Sequence, residues 1–161
     1  MMDLSTHEGG REFVRSALYP VAARIVQLTG SHTPTAIVFA REFQGESFSK
    51  PTPIGMATEH AFESQEQKVG FQTLVRYAVK IGRATGVVVV MEARIAALPA
   101  DTDLSTGIPS PTTVPGNREV LSFVLQSPAG TSLFVAPVLR SHDGISLGPL
   151  EEPLPTAMAF G

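Results

Sequence analysis

Two short apolar runs, Ala36–Ala40 and Val87–Met91, bracket one amphipathic segment, and that arrangement constrains the fold more than any other feature of the chain. Neither run alternates apolar with polar residues, so each is expected to be covered on both faces. The pattern predicts a strand at about 35–41, a helix over 64–84 and a second strand from 87 through about Ala93. A strand-helix-strand unit with this spacing favours parallel strands and a right-handed crossover.

The helix has a start signal of its own. Ser64 and Gln67 stand at capping-box spacing. Phe71, Leu74, Val75, Ala78, Ile81 and Gly82 make its inward face. A second helix is expected over 9–29, where Phe13, Val14, Ala17, Leu18, Val21, Ile25 and Leu28 follow the spacing of one buried stripe. Pro20 falls inside it. It lacks a backbone donor and crowds the carbonyl of Ser16, which predicts a kink. Gly30 supplies the stop.

Residues 43–60 contain Gly45, Pro51, Pro53 and Gly55 and read as a loop pinned by Phe43 and Phe48. Residues 99–117 read as a long Pro-, Thr- and Ser-rich loop, a length that in a compact domain points to function. Beyond it the chain turns to β. Val120–Leu125 and Leu133–Ala136 form a hairpin around Pro128-Ala129-Gly130. Pro137 places its strand at an edge or a bulge. A turn at His142-Asp143-Gly144 leads to a short strand near 145–147, and residues 149–161 form a partly packed tail. The expected architecture is one α/β (α+β) domain spanning 1–161. Its mixed sheet has four to five strands, with the parallel pair central, the C-terminal hairpin toward an edge, and both helices packed on one face.

Composition narrows the function. The 161 residues include no cysteine, which removes disulfides, thiolate metal sites and cysteine nucleophiles. The formal charge of −3 gives no general attraction to nucleic acid. The first residues lack the basic start and apolar stretch of a secretory signal, and no apolar run reaches the roughly 18 residues of a membrane span. The expected setting is soluble and cytoplasmic.

Motifs for chemistry are sparse. Asp101-Thr102-Asp103-Leu104-Ser105-Thr106-Gly107 starts like a calcium loop but has Thr106 and Thr112 where Gly and Glu are required, so it reads as a polar turn. His7, His32, His60 and His142 lack zinc-motif spacing. No nucleophile elbow, phosphate loop or dinucleotide fingerprint is present. No metal, cofactor or catalytic residue is therefore assigned.

Two groups stand out for binding. Lys68, Gln72, Arg76 and Lys80 recur every four residues along the second helix, with Arg83 nearby. They form a solvated face or a docking stripe for an acidic partner. Glu92, at the end of one strand, and Arg118-Glu119, opening the next, bracket the 99–117 loop where an α/β site would form.

The segment Val89-Val90-Met91-Glu92-Ala93, followed by a Pro-rich spacer ending Pro115-Gly116-Asn117-Arg118-Glu119-Val120-Leu121, resembles small uncharacterised proteins of phages and bacterial mobile elements. The resemblance spans roughly residues 35–140. Here Arg118 and Glu119 are adjacent, a departure from the spaced form. It implies a phage-like setting and an interaction role, with no activity to carry over.

The resulting expectation is a non-enzymatic interaction protein that binds a host protein or complex. It could self-associate through a strand edge or the first helix. The alternatives are a small enzyme or ligand binder around Glu92, Arg118 and loop 99–117, and a nucleic-acid binder through Arg76, Lys80 and Arg83.

Overall fold

The computed structural model describes residues 3–58, 64–82, 84–97, 105, 115–152 and 156–160. The chain opens with α1 (His7–Phe13), a π turn (Val14–Leu18) and α2 (Tyr19–Thr29) in direct succession. Thr6 caps α1, its hydroxyl accepting from the Gly9 amide at 3.0 Å. Gly30, with φ of 81°, closes α2 in the left-handed conformation.

The π turn is how the helix absorbs Pro20. The Tyr19 amide reaches five residues back to the Val14 carbonyl, so the ladder widens just before the proline. The extra residue also advances the phase of everything downstream. Phe13, Val14, Leu18, Ala22 and Val26 face the core. Val21, Ile25 and Leu28 are turned outward, exposed by 59%, 38% and 67%. The single stripe expected from the sequence is thus cut in two at Pro20.

β1 (Thr35–Phe43) and β2 (Glu46–Thr58) form a hairpin across residues expected to be a loop. Gln44 and Gly45 both have positive φ, 50° and 82°, the pattern of a two-residue type I′ turn. Pro51 and Pro53 are tolerated because β2 is the outermost strand and its register to β1 slips twice. α3 (Gln65–Gly82) follows, its Gln67 amide donating to Ser64 Oγ at 3.2 Å as the capping box requires.

β3 (Gly86–Ala97), β4 (Arg118–Ser127), β5 (Gly130–Ser141), β6 (Gly144–Leu147) and β7 (Thr156–Phe160) complete the sheet. Its order is β2-β1-β3-β4-β5-β6, with β7 also on β3. Every strand pair is antiparallel. The helix-and-sheet class and the β4–β5 hairpin are present. The expected parallel pair is not, because β1 and β3 run in opposite directions. The helix crosses over from β2 to β3, with β1 lying between them. Once 46–58 is a strand, the reversal it introduces makes β1 and β3 antiparallel. The described strands number seven rather than four or five.

β4 lines one edge of β3. On the other edge β1 pairs with residues 86–90 and β7 with 93–97, and Met91 and Glu92 lie between them. Pro137 costs β4 nothing. Val135 directs its amide and carbonyl away from β4, to Glu151, and the Pro137 carbonyl likewise accepts from Gly148, so its missing donor faces that outer edge.

Side chains alternate between two faces. Phe39, Val88, Val90, Leu121, Phe123, Leu125, Phe134 and Ala136 pack under α1 and α2. Phe13 meets Phe39 edge-on, ring centroids 4.7 Å apart. α3 lies across the opposite face over β1 and β2, Phe71 buried beneath it. The helices therefore sandwich the sheet rather than share one face. Apart from Ser105 and residues 115–117, the 99–117 loop lies outside the described residues, as do Glu59, His60 and Arg83.

Candidate functional sites

Glu92 and Glu119 come together; Arg118 does not join them. On β3 and β4, Glu92, Arg94 and Glu119 share the face that carries α1 and α2. Arg118, one residue from Glu119, points to the opposite face and pairs with Glu151. Arg140 grips Glu119 with both ends of its fork, Nε to Oε2 at 2.9 Å and Nη2 to Oε1 at 2.6 Å. That guanidinium holds the Glu119 carboxyl below its ordinary range, with Arg94 adding to the effect. Arg94 donates to Asn117 Oδ1 at 2.9 Å, and Glu92 Oε1 accepts from the His32 amide at 3.2 Å. Of these four charges, Glu119 and Arg140 form an ion pair, while Glu92 and Arg94 hold neutral amide groups. The cluster ties β3, β4 and β5 together at this end of the sheet.

The helix stripe lands somewhere more informative. Lys68, Gln72 and Arg76 form one wall of a groove of about 460 Å³ between α3 and the sheet. α3 sits over β1 and β2, and the groove beside it has an apolar floor of Val87 and Met91, both buried, and Val89 and Val124, both half-buried. Lys80 is exposed farther along α3.

A second groove, of about 490 Å³, opens on the other side of the sheet between α2 and the β1–β2 edge. Val21, Ile25, Pro51, Pro53 and Met56 are among its walls, and among the described residues Lys50 is the lone lysine or arginine on it. Met56 is 70% exposed. Val21 and Ile25 therefore line a largely apolar furrow, and Leu28 is exposed one turn farther along α2.

The polar network that sequence reasoning missed joins the start of the chain to residue 152. His7 Nδ1 lies 3.1 Å from Ser132 Oγ, and its Nε2 lies 2.7 Å from Glu152 Oε1. Arg11, one turn on, takes the other Glu152 oxygen at 2.6 Å. The His7 ring stacks on Phe134 with centroids 6.3 Å apart. The hydroxyl–imidazole–carboxylate order is that of an acyl-transfer relay. Its other ties are structural: the Tyr19 hydroxyl donates to the Gly148 carbonyl at 2.6 Å, and Glu151 bridges to Val135. Together these fasten residues 148–152 across α1, α2 and β5. No signal in the local sequence pairs residues this far apart.

Among the described residues no three His, Asp or Glu side chains gather as metal ligands, and no helix is long and apolar enough to cross a membrane. Comparisons with protein-family models, with curated proteins and with solved structures find no match to this chain.

Proposed function

We propose that this is a non-enzymatic interaction protein that works through its α2–β2 face, and that a second copy of the chain occupies that face. The observation that carries the reading is the outward turn of Val21, Ile25 and Leu28 after the π turn. These residues continue an apolar stripe whose first half is core, yet they have no core to enter. The three form a ridge along α2, and Val21 and Ile25 also line a furrow toward Met56 and Pro53. A patch holding ridge and furrow together is self-complementary, as a two-fold pair requires. Edge pairing through β2 is a poorer route, because Pro51 and Pro53 interrupt its donors.

The apolar surface on offer is modest, so the pair is reversible rather than obligate. A cytoplasmic setting and a role beside a host protein, which the phage-like resemblance of residues 35–140 suggests, belong to the same proposal. Sedimentation equilibrium tests it. The wild-type chain is expected to dimerise in the micromolar range, and the Ile25→Glu/Leu28→Glu variant to remain monomeric with an unchanged far-UV circular dichroism spectrum. A wild-type monomer at about 1 mM, where even a weak pair of about −4 kcal/mol would show, overturns the reading.

A further inference from the structure

We infer that the groove beneath α3 binds an amphiphilic acid, an apolar chain ending in a carboxylate or phosphate. This goes beyond the α2–β2 reading and involves the opposite face of the sheet. The floor is aliphatic: Val87, Val89 and Met91 stand in one line on β3, with Val124 beside them on β4. Alternate residues of a strand are about 6.6 Å apart, so the floor from Val87 to Met91 is about 13 Å long, with half-buried Val89 at its middle and both ends buried. The volume of about 460 Å³ lies within the range of small-molecule sites.

Charge selects the occupant. Among the described residues, the charged side chains on the groove are Lys68 and Arg76, eight positions apart on α3 and both cationic. Neither has a carboxylate partner among the described residues, in contrast to Arg11, Arg118 and Arg140, which are each paired. Gln72 and Gln126 add neutral hydrogen-bonding groups at the rim. An apolar body would cover the valines while its head met Lys68 or Arg76. A cationic amphiphile would meet like charge, and a fully polar anion would leave the floor wet. Phe71, buried under α3, fixes the wall that holds both cations.

Isothermal titration of the full chain tests this with three probes of equal chain length: decanoate, decyl phosphate and decyltrimethylammonium. Saturable binding of either acid in the micromolar range, with the cation at least tenfold weaker, is the expected result, and the better acid identifies the head group. Arg76 is exposed and Lys68 half-buried on the flank of α3, and Lys68→Glu and Arg76→Glu are expected to keep the wild-type far-UV circular dichroism spectrum. Each is expected to weaken the acid about fivefold to tenfold, the scale of one charge-assisted contact at a partly wet site. Ile25→Glu/Leu28→Glu is expected to bind unchanged, which separates this groove from the α2–β2 face. The inference fails if no acid binds up to about 1 mM, if the cation binds equally well, or if neither Lys68→Glu nor Arg76→Glu alters the acid affinity.

Discussion

Replacing Gly9 by alanine sets two physical effects against each other. In an open helix the change stabilises by about 1 kcal/mol, because glycine loses more backbone freedom on folding. Here a Cβ at residue 9 would lie 1.9 Å from the Asp3 carbonyl oxygen, 2.6 Å from its carbon and 2.7 Å from its nitrogen. All three are backbone atoms, so no rotamer change relieves the contact. The segment ahead of α1 has to move by more than 1 Å to reach ordinary contact. That segment carries Leu4, only 1% exposed, and Thr6, which caps the helix. Undocking Leu4 costs about 1.5–3 kcal/mol and weakening the cap about 1 kcal/mol more. After subtracting the propensity gain, Gly9→Ala is expected to destabilise by about 1.5–3 kcal/mol.

The control is Gly70→Ala in α3, where an added Cβ meets nothing within 4 Å and a gain of about 0.5–1 kcal/mol is expected. Urea unfolding followed by circular dichroism measures both, since the chain has no tryptophan. Leu4→Ala adds the decisive comparison. If Gly9→Ala acts by displacing Leu4, the double variant loses less than the two single losses combined. A Gly9→Ala protein at least as stable as the wild type, or strict additivity with Leu4→Ala, refutes the reasoning.

Other outcomes follow from packing and charge. Phe39→Ala, which empties a site 2% exposed beside Phe13, is expected to cost about 3–5 kcal/mol in the same assay. Glu119 has a folded pKa held below its ordinary 4.5, so its pairing stabilises above that pH and the benefit is lost as pH falls below it. Glu119→Gln should therefore flatten the acid side of the stability–pH curve and leave its neutral plateau shape unchanged. Glu152→Gln removes the shared partner of His7 and Arg11, and hydrogen exchange at the Glu151 amide is expected to accelerate while that of β4 does not.

Much of the fold was legible wherever one local rule governed. The runs at 36–40 and 87–91, the Ser64 cap and the turns at Pro128-Ala129 and His142-Asp143 all form as their residues dictate. β2 was hidden because Pro51, Pro53 and Gly55 are loop residues everywhere except on an edge strand. The phase of α2 was hidden because periodicity presumes a regular ladder, and the widened turn before Pro20 breaks it. In the candidate site, adjacency already contained part of the answer. Arg118 and Glu119 are neighbours on one strand, so they must face opposite ways. What no spacing rule conveys is where α3 rests on the sheet, and that placement turns a helix stripe into the wall of a groove.

The gap on β3 at Met91 and Glu92 divides the sheet along one line. On one side of β3 the β4 ladder runs across the gap without interruption, while the β1 and β7 ladders meet there without touching the two residues. β1 is built from residues about fifty positions earlier in the chain than β3, and β7 from residues about sixty positions later, so the two halves of one edge are closed by segments from opposite directions along the chain. The seam acts like a perforation: β7 can peel from residues 93–97 while β1 stays fastened to 86–90. Local opening at this end of the sheet is thereby uncoupled from the core beneath α1 and α2.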